Sequence, residues 1–197
     1  MLLHDLIRNH RLILASQSPR RKMLLGGLDL EFEVLVKDDI DENYPEDLDM
    51  NEIPEFLARK KSDHYIDLLD ERTIVITADT IVWLGKEVVG KPVDKDDAKK
   101  IINRLSGNTH IVMTGVCLRS AKETRIFHSV SHVHFRDLSQ AEINYYIEKY
   151  KPFDKAGAYG IQEWIGYIGI EKIEGSFFNV MGLPVQMLYQ ELLEFVI

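Results

Sequence analysis

A polar stretch near the start of the chain, LASQSPRR at residues 14–21, contains the first side chains that could bind an anion. It follows the apolar run RLILA, and Pro19 is typical of the first position of a helix. A helix that begins here presents unpaired backbone N–H groups at the positive end of its dipole, which is a ready anion site. Arg20 and Arg21 lie in the first turn, where the dipole disfavours cations, and a bound phosphate would offset that repulsion. The alternative is a plain capped loop with two solvated arginines.

A single aspartate, Asp79, interrupts two β-branched runs, TIVIT at 73–77 and TIVWL at 80–84. Aspartate is disfavoured in strands, so we expect a partner that holds it there. Burial would raise the pKa of this carboxyl, and a nearby cation or metal would lower it. Either environment makes Asp79 a candidate acid, base or metal ligand. The alternative is a turn aspartate that bonds to its own backbone.

Two later segments add polar groups that could hold a nucleotide. Lys91, next to Gly90, could reach a phosphate, although an exposed loop lysine is the common alternative. The stretch DKAGAYGIQ at 154–162 places an Asp–Lys pair before glycines, which predicts a tight bend. Gln162 could read the edge of a nucleobase because its amide both donates and accepts hydrogen bonds. The alternative is a glycine-rich turn between strands.

An acidic loop after the second predicted strand could supply ligands for Mg²⁺, because hard cations take carboxylate oxygens. Its carboxylates belong to Asp38, Asp39, Asp41 and Glu42. More often such a run is simply solvated. The chain has no Gly-rich loop that ends in Lys-Ser or Lys-Thr, which argues against a P-loop nucleotide hydrolase.

Composition excludes several classes of protein. The chain has 197 residues and a net charge of −8, which argues against binding long nucleic acids but not against a local basic pocket. The single cysteine, Cys117, allows neither an intrachain disulfide nor a cysteine-based metal site, so we expect a buried, inert thiol and a reducing compartment. Asp5 makes the N-terminus a poor signal peptide. No apolar run approaches the roughly 20 residues of a membrane span, so we expect a cytoplasmic protein.

The elements that must position these residues alternate between strand-like and helix-like, which predicts an α/β fold. Strands are expected at 11–15, 31–36, 73–77, 80–84, 109–118 and 125–135. Helices are expected at 19–28, 51–69 and 94–105, after the capping box of Ser139 and Glu142, and after Pro184. Lys61 falls among apolar residues on the second of these helices. Because no repeat or linker interrupts the pattern, we expect one domain over residues 1–197, with two lobes as an option.

Taken together, these segments resemble the Maf family of nucleoside triphosphate pyrophosphatases. The matching pieces occur in family order and are LASQSPRR, IDE (40–42), ARKKS (58–62), ADTIV (78–82), GKP (90–92), LSGNTHIVMTGV (105–116), DKAGAYGIQ and GSFFNVMGLP (175–184). The resemblance implies a mixed α/β fold with an elongated central sheet, flanking helices and two lobes around a cleft, similar to inosine triphosphate pyrophosphatases. It also implies hydrolysis of a nucleoside triphosphate to the monophosphate and pyrophosphate, with Mg²⁺ as the metal and Mn²⁺ left open.

Within the family, the form GAYGIQ is similar to the branch that acts on dTTP and UTP. The resemblance implies that Asp79 is the catalytic base and that Arg20, Thr80 and Gln162 determine specificity. By the same matching, the phosphates would be bound by Ser16, Arg21, Lys61, Lys91 and Lys155, and the metal by Glu42 and Asp154. The chain departs from the family at Glu163-Trp164, where many relatives have glycine, and at Ser62, where alanine is usual. The first departure could reshape the base pocket.

Two other functions stay open at this point. One is a non-catalytic regulator that binds a nucleotide as a signal and acts on cell division or septum formation through a protein contact. The other is a pyrophosphatase that clears non-standard purine triphosphates. For the dTTP and UTP enzyme, which could also take modified pyrimidine nucleotides, we expect a role in cleaning the nucleotide pool. The expected partner is the triphosphate substrate, with a homodimer left open.

Overall fold

The structure is a computed structural model that describes residues 2–38, 40–45 and 47–196. Its strands are β1 (Arg11–Leu14), β2 (Glu33–Val34), β3 (Thr73–Leu84), β4 (Glu87–Val89), β5 (Thr109–Arg119), β6 (Thr124–Phe135) and β7 (Ile170–Glu174). Its helices are α1 (Leu3–Ile7), α2 (Pro19–Gly26), α3 (Glu52–Asp63), α4 (Lys95–Leu105), α5 (Gln140–Tyr150), α6 (Trp164–Gly169), α7 (Phe177–Met181) and α8 (Val185–Phe195). Within the described ranges, no helix is both long and apolar enough to span a membrane.

The strands of the described residues form one mixed sheet in the order β2-β1-β3-β5-β6-β7, with β4 paired to β3. Strand β1 runs parallel to both β2 and β3, and parallel neighbours need crossover connections, which α2 and α3 provide. Strands β4 and β7 run antiparallel to β3 and β6. The predicted mixed α/β fold with a central sheet and flanking helices is therefore confirmed.

The chain divides into two compact units. The first contains residues 1–79, 114–129 and 182–197, and the second contains residues 80–113 and 130–181. Strands β3, β5 and β6 contribute residues to both. The division along β3 falls between Asp79 and Thr80, two of the predicted site residues.

Three elements differ in extent from the sequence prediction. The two β-branched runs at 73–77 and 80–84 form one continuous strand, so the predicted separation at Asp79 is wrong. Helix α3 ends at Asp63 rather than near residue 69, and a 3₁₀ turn at Ile66–Leu68 follows it. Strand β2 keeps only two residues, because only these pair with β1 at the edge of the sheet.

In the first unit, α3 lies directly against the strands. The Thr77 hydroxyl of β3 donates a 2.6 Å hydrogen bond to the backbone oxygen of Ala58 in α3. Gly115 of β5 faces the backbone at Pro54 so closely that a Cβ at this position would overlap it. This glycine therefore lets the helix approach the sheet at backbone distance. The position of α3 relative to β3 is what places Lys61.

The single cysteine, Cys117, is buried in the same region. Its thiol lies 3.4 Å from the hydroxyl of Ser62, which in turn donates to the backbone oxygen of Arg59. Burial raises the pKa of the Cys117 thiol, so the group stays protonated and unreactive near neutral pH. The Ser62 hydroxyl therefore has partners on both α3 and β5 inside the first unit.

In the second unit, helices α4 and α5 pack against each other. The apolar stripe of α4 is buried, and the helix stops before Gly107, whose φ of +68° suits glycine. The capping box of Ser139 and Glu142 at the start of α5 is present. Arg136 donates to Glu142, and this contact, with the hydrogen bonds from Ser139, lowers the pKa of the Glu142 carboxyl to about 2.

Candidate active site

The predicted anion site at the start of α2 has the expected local structure. Pro19 opens the helix, and the Ser18 hydroxyl caps it by accepting a 3.4 Å hydrogen bond from the Arg21 amide. The Ser16 hydroxyl accepts from the Ser18 amide at 3.2 Å. Ser16, Arg20 and Arg21 therefore lie together at one helix N-terminus, where backbone N–H groups and the dipole favour an anion.

The Arg21 side chain has a structural role that the sequence did not reveal. Its Nε donates to the backbone oxygen of Gly182 at 2.8 Å, and its Nη1 donates to that of Ala78 at 2.7 Å. Burial lowers the pKa of the guanidinium, and the charge of nearby Asp79 partly opposes this shift. Arg21 thus fixes the backbone next to Asp79 while placing a positive charge beside that carboxylate.

The partner that holds Asp79 in its strand is Lys61. The Lys61 ammonium donates to Asp79 Oδ1, and its nitrogen lies 2.8 Å from Glu42 Oε1. Only 13% of the Asp79 side chain and 15% of the Lys61 side chain are exposed, whereas Glu42 is 53% exposed. A charge removed from water needs a charged partner, and this ion pair supplies one. Because Asp79 lies inside β3, the alternative of a turn aspartate does not apply.

The spacing of residues on the facing sides of β3 and α3 brings Lys61 to Asp79. Thr77 and Asp79 are two residues apart on β3 and share a face, while Ala58 and Lys61 are three apart on α3 and share a face. Thr77 binds Ala58, and Asp79 binds Lys61. Two contacts between the same two elements therefore set the register of α3 on β3.

The neighbouring lysine of α3 holds the acidic loop. Lys60 Nζ donates to Asp41 Oδ2 and to the backbone oxygen of Asn43, both at 2.8 Å. The hydrogen bond from Lys60 lowers the pKa of the Asp41 carboxyl. Lys60 and Lys61 thus bind successive carboxylates, those of Asp41 and Glu42. Asp39, which belongs to the predicted acidic loop, lies outside the described residues.

In the second unit, Lys155 is nearly buried between two carboxylates. Its ammonium lies 2.7 Å from Asp154 Oδ1 and 3.2 Å from Glu163 Oε1, and 10% of its side chain is exposed. The bend predicted for this segment is present as a 3₁₀ turn at Ala156–Ala158, in which Gly157 has a φ of +74°. The Gly157 amide donates to the backbone oxygen of Gly90 at 3.1 Å, so this turn holds the segment that carries exposed Lys91.

The Gln162 amide oxygen is buried and has no hydrogen-bond partner among the residues the structure describes. Its loop is anchored by Tyr159, whose hydroxyl lies 2.7 Å from His110 Nε2 in the protein interior. Burial lowers the pKa of His110 to about 4, so the ring is neutral near pH 7. A buried acceptor without a donor is costly, which makes Gln162 Oε1 a candidate contact for a ligand N–H.

The predicted site residues fall into two sets. Those in the first unit are Ser16, Arg20, Arg21, Glu42, Lys61 and Asp79. Those in the second unit are Thr80, Lys91, Asp154, Lys155 and Gln162. Within the described ranges, no three His, Cys, Asp or Glu side chains gather as a ready metal site. Glu42 and Asp79 do converge on one cationic group, and Mg²⁺ commonly uses one or two protein carboxylates and takes its other ligands from substrate phosphates.

Comparisons with known proteins match nearly the whole chain. The profile of the Maf-like protein family covers residues 11–195. A protein of Parabacteroides distasonis named dTTP/UTP pyrophosphatase is 52% identical over 189 residues, which cover 96% of this chain and 98% of that protein. A protein of Phocaeicola vulgatus with the same name is 53% identical over 186 residues, 94% of this chain and 96% of its own. The solved nucleoside-triphosphatase, dITP/XTP pyrophosphatase, of Mycobacterium abscessus is a remote likeness, with a TM-score of 0.36, 12% identity and coverage of 65% and 75%.

Proposed function

The chain belongs to the Maf family, and on that premise we propose that it hydrolyses dTTP and UTP to the nucleoside monophosphate and pyrophosphate. The observation that carries this proposal is the Asp79 carboxylate, which is held inside a strand by Lys61 and lies close to the Arg21 charge. Relatives that share about half of their residues with this chain over nearly its full length carry the same activity in their names. The biological role would be removal of unwanted pyrimidine triphosphates, modified ones included, in a reducing cytoplasm that suits the free thiol of Cys117.

Asp79 is the proposed catalytic base, which accepts a proton from the water that attacks the α-phosphorus. A general base of this kind contributes about 10²–10⁴-fold to the rate. Its hydrogen bond with Lys61 orients the carboxylate and leaves the ammonium beside the phosphates. A triphosphate carries roughly four negative charges near neutral pH, so a chain with a net charge of −8 must concentrate cations locally to bind it. The proposed phosphate ligands are Ser16, Arg21, Lys61, Lys91 and Lys155.

A divalent cation fits the carboxylate oxygens among the candidate site residues. We propose Mg²⁺, with Mn²⁺ left open. Its proposed ligands are the carboxylates of Glu42 and Asp154, which offer the oxygen donors that Mg²⁺ prefers. When bound, such an ion stabilises the negative charge that develops on the departing pyrophosphate. The Lys61 ammonium pairs with both Glu42 and Asp79 and so places a positive charge between these two carboxylates.

Gln162 is the proposed reader of the base, together with Arg20 and Thr80. Its buried amide oxygen requires a donor, and thymine and uracil both present an N–H at ring position 3. Cytosine has an acceptor at that position and would leave Gln162 Oε1 facing a lone pair. An unpaired buried polar group costs roughly 1–3 kcal/mol, which corresponds to about 5- to 150-fold discrimination.

The deciding experiment is pyrophosphate release by the purified protein from dTTP, UTP, CTP, ITP and XTP with Mg²⁺, with EDTA as the control for the metal. We expect turnover of dTTP and UTP that EDTA abolishes, and hydrolysis of CTP that is at least about fivefold slower. Binding of a nucleotide without turnover of any would contradict the proposal and favour the regulator. Preference for ITP or XTP would instead favour the purine-directed enzyme.

A further inference from the structure

Glu163 lies at the centre of a buried polar network in the second unit. Its Oε2 accepts a hydrogen bond from the hydroxyl of Tyr146, a residue of α5 that is completely buried. Its Oε1 lies 3.2 Å from the Lys155 ammonium. Only 18% of the Glu163 side chain is exposed. A carboxylate this far from water must be fully paired, and Tyr146 and Lys155 are its partners.

The same network fixes the backbone of a four-residue turn, Gly160–Glu163. The Glu163 amide closes the turn on the backbone oxygen of Gly160 at 3.0 Å. The Gly160 amide donates to the Tyr146 hydroxyl, also at 3.0 Å. The hydroxyl of Tyr146 therefore accepts from the first residue of the turn and donates to the side chain of the last. Gln162 lies inside this turn, so its main chain is held at both ends.

Gly160 makes room for this arrangement. A Cβ at position 160 would lie 2.8 Å from Cδ of Glu163 and 3.0–3.1 Å from its two oxygens. Any larger residue would therefore push the carboxylate away from its place. Burial, followed by the contact with Glu163, raises the pKa of Tyr146, so its hydroxyl remains a protonated donor. Gly160 leaves room for the Glu163 carboxylate, and the Tyr146 hydroxyl binds both residues.

We propose that Glu163 is a positioning residue for the nucleotide, which fixes the Gln162 turn through Tyr146 and holds the Lys155 ammonium in place. This inference rests on the proposed function, in which Gln162 reads the base and Lys155 binds a phosphate. Glu163 does not touch the substrate in this scheme. It acts by keeping a base-reading group and a phosphate-binding group in a fixed relation, and loss of such a constraint weakens selectivity before it affects chemistry.

The test is a double-mutant cycle with Glu163→Ala and Tyr146→Phe, read as the ratio of kcat/KM for UTP to that for CTP. We expect each single change to lower this ratio about tenfold, mainly through the KM for UTP, which is the effect of one lost charged hydrogen bond. The double variant should lose little beyond either single one, because both changes break the same chain of contacts. Glu163→Gln, which still offers Tyr146 an acceptor, should fall between Glu163→Ala and the wild type.

The matched control is Glu171→Ala, an exposed glutamate of β7 in the same unit. It should leave the ratio unchanged. A Glu163→Ala protein that unfolds at a lower temperature but keeps the wild-type ratio would overturn the proposal, since Glu163 would then be only structural. If Glu163→Ala does not fold, Glu163→Gln and Tyr146→Phe decide by the same criterion.

Hydrogen exchange separates this inference from the proposed function. If the wild type hydrolyses none of the triphosphates, the proposed function fails, and exchange of the amides in residues 157–162 still reports on the turn. Exchange about tenfold faster in Glu163→Ala and Tyr146→Phe, but not in Glu171→Ala, would support Glu163 as the residue that holds this segment. Unchanged exchange in both variants would contradict it.

Discussion

At the scale of single residues, the central feature is an aspartate whose charge is compensated on two sides. Lys61 binds the Asp79 carboxylate directly, and the Arg21 guanidinium fixes the adjacent backbone at Ala78. A carboxylate that is positioned in this way needs no reorganisation before it accepts a proton. The ion pair offsets the cost of burying it, and Glu42 stays 2.8 Å from the Lys61 ammonium if the charge of Asp79 is removed.

Replacement of Asp79 by asparagine tests this assignment. The amide keeps the size of the side chain but cannot accept a proton, so we expect kcat for dTTP to fall at least ~10²-fold. The measurement is steady-state pyrophosphate release, with circular dichroism as the check that the variant is folded. The matched control is Asp67→Asn, which removes an exposed carboxylate that pairs with Lys37 and should leave kcat unchanged. Wild-type turnover in Asp79→Asn would remove Asp79 from the mechanism.

At the scale of elements, contact between α3 and the sheet decides whether the ion pair can form. Gly115 admits the backbone of α3 at Pro54, and Thr77 ties β3 to Ala58. If the helix moved outward, Lys61 would leave Asp79, because the two contacts share the same helix and strand. The packing of a backbone against a glycine is therefore linked to the chemistry of the site.

Replacement of Gly115 by alanine should separate helix and sheet. The added Cβ would overlap the backbone at Pro54, so α3 must shift, and we expect the free energy of unfolding to fall by about 1–3 kcal/mol, with a loss of activity. Urea denaturation followed by circular dichroism measures the first effect. Gly26→Ala is the control, since Gly26 is the last residue of α2 and a Cβ there meets only Phe32 at 4.0 Å, so the free energy of unfolding should change by less than about 0.5 kcal/mol. Equal stability of Gly115→Ala and the wild type would contradict the packing described here.

The sequence predicts an element when neighbouring residues carry its pattern, and it does not predict contacts between distant residues. The start of α2 at Pro19 and the capping box of Ser139 and Glu142 are local patterns, and the structure confirms them. Contacts that join distant residues gave no signal, such as Arg21 with Ala78, which are 57 positions apart. The sequence predicts no element between α5 and Pro184, because α6, α7 and β7 have only five or six residues each and too few turns to show a period.

In the candidate site, too, contacts between residues that are far apart in the chain are not visible in the sequence. Asp79, Lys61 and Gln162 were predicted from their types and from the family resemblance, but the pairing of Lys61 with Asp79 spans 18 positions and needs the fold. The network of Tyr146, Glu163 and Lys155 was missed for the same reason.

At the scale of the whole molecule, global stability should respond to pH through buried groups. His110 is almost fully buried against Tyr159, and its pKa is lowered from 6.5 to about 4, mainly by burial. Below pH 6.5 the unfolded chain binds a proton at this histidine that the folded protein does not. Stability is therefore complete above pH 6.5 and is lost as pH falls towards 4. Glu142, with its pKa lowered from 4.5 to about 2, contributes stability that is lost only below pH 4.5.

His110 and Glu142 affect stability over different pH ranges, so the contribution of His110 can be measured separately. Between pH 6.5 and 4.5, where Glu142 is ionised in both states, we expect His110 to reduce the free energy of unfolding by about 2 kcal/mol. His110→Asn keeps a polar group near the Tyr159 hydroxyl but does not titrate, so its stability should decline less over this range by about that amount. Urea denaturation of both proteins at several pH values provides the comparison. Parallel curves for the variant and the wild type would show that His110 is not the group that couples protonation to unfolding, since both proteins would then lose stability through other carboxylates and histidines.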